Sequence, residues 1–96
     1  MTIPDSLRLD RNRILALADQ HGMRRVRVFG SVARGDAGVA SDLDLLVEVA
    51  PDRSYLDFVA FWQNVEEVVG CHVDVVSDGG LSPYLREKIY AEATAL

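Results

Sequence analysis

Asp42 and Asp44 alternate with Leu43 and Leu45 in the stretch "SDLDLLVEV". Successive side chains leave opposite faces of a strand, so on a strand both carboxylates leave from the same face. Asp74 sits in a similar apolar run, "HVDVVS", where a buried unpaired carboxylate would be costly. Three carboxylates at one place repel and raise each other's pKa. A divalent cation turns that repulsion into coordination. Hard oxygen donors suit Mg²⁺, which keeps several waters and is shared between a few carboxylates and substrate phosphates. Ahead of the two acids lies the pair Gly30-Ser31, closing the run "RVRVFG". A helical turn starting there offers unsatisfied backbone N–H groups and a partial positive charge, a phosphate site. Gly30 lets the backbone approach a ligand closely. The Ser31 hydroxyl can donate one more hydrogen bond. A triphosphate held at this turn would direct its α-phosphate toward metals held by Asp42 and Asp44.

The elements that must position these groups follow from periodicity and punctuation. A helix is expected from about Asp5 to His21, with Leu7, Ile14, Leu17 and Ala18 on one face and Gly22 as its stop. "RVRVFG" reads as a strand, residues 30–35 as a single helical turn, "DAGVA" as a loop and "SDLDLLVEV" as a second strand. Ser54 and Asp57 have the spacing of a capping box, so a helix starts there and runs to Val69 before Gly70. "HVDVVS" is a third strand and "DGG" a loop. Ser82 followed by Pro83 is an N-cap with proline at the first helical position. Leu85, Ile89, Ala93 and Leu96 form the apolar stripe of a last helix. The second and third strands, joined through a helix, should be parallel neighbours. The first and second should be antiparallel. Gly30-Ser31, Asp42, Asp44 and Asp74 then converge at one edge of a three-stranded mixed sheet. The fold class is α+β (mixed α/β), a small mixed sheet flanked by about four helices.

Composition bounds the rest. The chain has 96 residues, of which 49% are hydrophobic, enough for one domain over residues 1–96 with a modest core. No apolar run is long enough to span a bilayer, and the first residues lack the basic-then-apolar order of a signal peptide, so a cytoplasmic protein is expected. The formal net charge is −5, which argues against nucleic acid as the main partner. The short basic cluster of Arg24, Arg25 and Arg27 reads as a solvated strand surface. The single Cys71 cannot form an internal disulfide and reads as a buried small hydrophobe. His21 and His72 lack ligand-like spacing and read as structural or surface residues. Residues 54–69 carry Tyr55, Leu56, Phe58, Val59, Phe61, Trp62, Val65, Val68 and Val69, a wider apolar face than one core-facing stripe needs. That face suits either a groove in the fold or an interface for a partner or a second copy of the chain.

The stretch "GSVARGDAGVASDLDLLVEV" resembles the nucleotidyltransferase signature of the DNA polymerase β-like superfamily, a Gly-Ser pair, a gap and D-x-D. Ala-Arg-Gly after Gly-Ser, and Ser-Asp-Leu-Asp-Leu-Leu-Val, look like the minimal nucleotidyltransferase antitoxins in particular. "HVDVVS" supplies the third acid where that family has one. The resemblance runs from about Arg25 to the final helix. It implies an ATP- and Mg²⁺-dependent enzyme that transfers AMP to a hydroxyl, in some systems a tyrosine of a HEPN-domain toxin. It implies that Gly30 and Ser31 bind the β- and γ-phosphates. Asp42 and Asp44 would hold two Mg²⁺ ions, and Asp74 would complete the catalytic metal site and orient or deprotonate the acceptor hydroxyl. Arg34 could steady the triphosphate. Two other functions remain open at this point: an antitoxin acting by occlusion alone, and an enzyme with a small-molecule hydroxyl acceptor, which the short chain disfavours.

Overall fold

A computed structural model of the chain describes residues 5–30 and 43–96. Among the described residues seven main elements follow one another: α1 (Asp5–His21), β1 (Met23–Phe29), β2 (Leu43–Val49), α2 (Tyr55–Val69), β3 (Val73–Ser77), α3 (Pro83–Glu92) and β4 (Thr94–Ala95), with a 3₁₀ turn at Asp78–Gly80. The sheet order is β3-β2-β1-β4. β1 and β2 are antiparallel, and β2 and β3, joined through α2, are parallel.

Two differences from the sequence reading stand out. The last helix stops at Glu92, and the chain turns into a fourth strand pairing Arg27 with Ala95 and Val28 with Thr94. Leu96, expected on the helical stripe, is instead buried in the main core, and Leu85 of that stripe is exposed. Cys71, expected to be buried, is exposed. It follows Gly70, whose left-handed φ of 70° ends α2, so the chain is turning at the surface where Cys71 falls.

The sheet is covered on both faces. On one, α1 and α2 bring Ile14, Ala18, Phe58, Phe61 and Val65 against Val28, Leu45, Val47, Val73 and Val75. On the other, Leu46 packs with Leu81 and Ile89, joined by Phe29, Val76 and Ala93. Leu45, Leu46 and Val47 are all fully buried, which is why β2 reads as a continuous apolar run rather than a strict alternation.

Local signals hold where they were strong. The Ser54 N–H donates to Asp57 Oδ2 at 2.9 Å, closing the start of α2. That backbone bond holds the Asp57 carboxyl below its usual pKa. Ser82 Oγ accepts the Leu85 N–H at the start of α3. The wide apolar face of α2 is mostly used inside the fold. Phe58 and Phe61 are buried, and half-buried Trp62 donates its indole N–H to the Val73 carbonyl. Only Tyr55 and Leu56, at 74% and 78% exposure, remain as large apolar side chains on its surface.

Candidate active site

β2 and β3 bring two acids together by register. Asp44 is the direct partner of Asp74 across the parallel pair, and on its other side Asp44 lies opposite Phe29. Alternation along the strands puts both acids on the face carrying Leu46 and Val76, beside the core under α3. Both are half-buried, so each keeps access to solvent and to a ligand.

Gly30 completes this end of the sheet. Its φ is +73°, a left-handed conformation that glycine adopts without steric cost. A Cβ added there would lie 2.3 Å from Asp44 Oδ2. The Asp44 carboxylate therefore occupies the space that a side chain at position 30 would need. The Gly30 N–H donates to Glu92 Oε2 at 3.2 Å, so the end of α3 also reaches this turn.

Asp74 is fixed through its neighbours. The backbone of Val73 is bonded to α2 on both sides: its carbonyl accepts from Trp62, and its N–H donates to Glu66 Oε2 at 3.2 Å. His72 Nε2 stands 3.2 Å from Asp74 Oδ1, and His72 Nδ1 stands 3.3 Å from Glu66 Oε2. These two contacts were not read from the sequence, where His72 counted as a structural or surface residue. The available signal was H-x-D, a spacing that puts both side chains on one side of an extended chain. Glu92 lay beyond any spacing argument, since 62 positions separate it from Gly30.

Of the sequence-derived candidates, Gly30, Asp44 and Asp74 meet at one sheet end. Ser31, Arg34 and Asp42 lie outside the described residues. Among the described residues no three His, Cys, Asp or Glu side chains converge on one metal position. Asp44 and Asp74 form an all-oxygen pair, which fits a hard cation that takes its other ligands from water and phosphate.

The basic cluster divides. Arg24 and Arg25 are exposed as expected, and Arg25 pairs with Glu48 at 3.8 Å. Arg27, expected as part of a solvated strand surface, is half-buried. Val26 and Val28 on either side of it enter the core under α1 and α2, so alternation puts its side chain with Phe29 on the α3 face. There its guanidinium lies 5.2 Å from the centre of the Tyr90 ring, and its Nε and Nη2 are buried without a hydrogen-bond partner. Tyr90 donates to Asp78 Oδ1, a bond that raises the phenol's pKa.

The family described as nucleotidyltransferase domain matches residues 12–96. The chain is 37% identical over 83 residues to MJ0435 of Methanocaldococcus jannaschii, named as a candidate protein adenylyltransferase, covering 86% of this chain and 89% of that one. It is 35% identical over 79 residues to the protein adenylyltransferase MntA of Thermococcus cleftensis, covering 77% of this chain and 80% of that one. A solved structure described as a candidate minimal nucleotidyltransferase superposes with a TM-score of 0.88 at 46% identity, over 99% of this chain and 97% of that one. A toxin–antitoxin structure solved with AMP-PNP shares the fold, with a TM-score of 0.77 at 20% identity over 90% of this chain and 71% of that one. Among the described residues no helix is long and apolar enough to cross a membrane. The chain belongs to the nucleotidyltransferase domain family, in its minimal nucleotidyltransferase branch, and is a nucleotidyltransferase.

Proposed function

We propose that the chain is a single minimal domain that transfers AMP from ATP to a hydroxyl of a partner protein, with Mg²⁺, in the cytoplasm. We propose further that this partner is a HEPN-domain toxin and the chain its antitoxin. The observation that carries the reading is the meeting of Gly30, Asp44 and Asp74 at one sheet end, with Asp44 and Asp74 in register. The names of the two relatives above support a protein acceptor, and the fold shared with a toxin–antitoxin structure solved with AMP-PNP supports the nucleotide and a toxin partner.

In this reading Gly30 and Ser31 hold the β- and γ-phosphates, with Arg34 beside them. Asp42 and Asp44 face the triphosphate. Asp74, from the neighbouring strand, orients the acceptor hydroxyl and takes its proton as the oxygen attacks the α-phosphorus in line. The bond from the α-phosphorus to the bridging oxygen breaks, and pyrophosphate leaves. Mg²⁺ bound by Asp42, Asp44 and Asp74 would neutralise charge on the attacking and departing oxygens. Exposed Tyr55 and Leu56 at the start of α2 offer an apolar contact for the partner or for a second copy of the chain.

The test is incubation with α-labelled ATP, Mg²⁺ and the protein encoded beside this one. Label on a tyrosine, serine or threonine of that partner is the expected result. Neutralisation of the partner without label would replace the enzyme with an occluding antitoxin. Label that passes into the small-molecule fraction would replace the protein acceptor.

A further inference from the structure

Asp74 is braced from behind by a chain of side chains. His72 Nε2 lies 3.2 Å from Asp74 Oδ1. The other ring nitrogen, Nδ1, lies 3.3 Å from Glu66 Oε2. That same Glu66 oxygen accepts the N–H of Val73 at 3.2 Å, so the brace is tied to the backbone one residue from Asp74. Glu66 belongs to α2, and α2 is anchored in the core through Phe61 and Val65. A rigid helix thus reaches the carboxylate through an imidazole.

We infer that His72, backed by Glu66, is a positioning residue for the transfer reaction: it holds Asp74 Oδ1 and leaves Oδ2 to the metal and the acceptor hydroxyl. The inference rests on the reading of Asp74 as a metal ligand given above. A carboxylate oxygen only accepts, so in this brace the Nε2–H donates to Asp74 Oδ1 and the Nδ1–H to Glu66 Oε2. A carboxylate on a short side chain with a broad terminal torsion otherwise samples several orientations. A ligand held on its outer side by a hydrogen bond is ready for the ion, and losing such an outer partner typically costs 10–100-fold in metal affinity. The same pair does little for folding. The side chains of His72 and Asp74 are 57% and 49% exposed, and exposed pairs of this kind contribute little to stability. The brace is therefore separable from the fold.

The test uses the full chain saturated with AMP-PNP, with Mn²⁺ binding followed by electron paramagnetic resonance and a thermal melt on each variant. His72→Ala should weaken the Mn²⁺ held by Asp74 by about tenfold or more and leave the melt nearly unchanged. His72→Gln, whose amide nitrogen reaches as far as Nε2, should recover part of the loss. In an Asp74→Asn background, His72→Ala should change nothing further, because the residue it acts through is gone. His72→Ala with unchanged or tighter Mn²⁺ binding would overturn the inference. So would an equal loss in the Asp74→Asn background. These outcomes leave Asp74 as a ligand, provided that Asp74→Asn alone weakens Mn²⁺. If Asp74→Asn binds Mn²⁺ as the parent does, the ligand reading and the brace fall together.

Discussion

Asp44 and Asp74 are register partners across the parallel strands β2 and β3. Two carboxylates brought level on one sheet face repel. That gives a prediction with two arms. Asp44→Asn and Asp42→Asn should each abolish AMP transfer. Asp44→Asn should also keep or raise the melting temperature in the absence of metal, since it removes a repelling charge. The measurements are a labelled-ATP transfer assay and a thermal melt in a chelating buffer. Transfer near the parental rate in either variant would end the metal assignment.

The second prediction concerns Gly30. Its φ of +73° disfavours any other residue, and the site of its missing Cβ lies 2.3 Å from Asp44 Oδ2. Gly30→Ala meets both penalties. The backbone term alone is about 1–2 kcal/mol, and the Asp44 carboxylate must also move. A urea melt should show a loss of at least that backbone term. ATP affinity should fall with it, because the carboxylate that moves is one of the proposed metal ligands. An alanine variant with parental stability and parental ATP affinity would show that the close approach has no consequence.

The third prediction is a pH dependence at the start of α2. The Ser54 N–H holds the Asp57 carboxyl below its ordinary pKa. A carboxyl whose folded pKa is depressed stabilises the fold above its unfolded pKa, and that stability is lost as pH falls through the folded value. Asp57→Ala should therefore melt below the parent at neutral pH. The gap should close as pH falls below the ordinary carboxylate range. Melting temperatures of the two proteins across an acid series measure this. A gap that stays constant with pH would mean that Asp57 acts through packing and not through its charge.

Most of what positions the candidate site was legible before the structure. The alternation of Asp44 with Leu43 and Leu45 set its face, and the helical crossover from β2 to β3 set a parallel pair with Asp74 level with Asp44; the matching expectation for Asp42 lies outside the described residues. What escaped has physical reasons. β4 is two residues long, too short for a period, and Leu96 fitted the helical stripe of α3 equally well by spacing. The face of Arg27 follows from its alternation with Val26 and Val28, but its contact with the Tyr90 ring has no local signal. Glu66 and His72 meet because α2 and β3 pack together, and Glu92 meets Gly30 because α3 folds back over the sheet. Both are tertiary contacts without a local signature. Cys71 was misjudged from its apolar neighbours, although Gly70 before it marked a surface turn.

The final prediction separates binding from chemistry at Asp74. In the proposed mechanism Asp42 and Asp44 face the triphosphate, so losing either should weaken ATP binding as well as turnover. Asp74 comes from the neighbouring strand and, in the proposed mechanism, touches only the metal at the reacting centre and the incoming hydroxyl. Its loss should fall on the chemical step. For Asp74→Asn, binding of ATP with Mg²⁺ should stay within about tenfold of the parent, roughly 1.4 kcal/mol. Transfer should fall by about 10²–10⁴-fold, the range of a positioned acid–base group. A calorimetric titration with AMP-PNP beside a single-turnover transfer assay reads both quantities. Equal losses in the two would make Asp74 a general nucleotide ligand and withdraw its role as base. Full transfer by the asparagine variant would remove Asp74 from the site, and its alignment with Asp44 would then be a feature of the sheet alone.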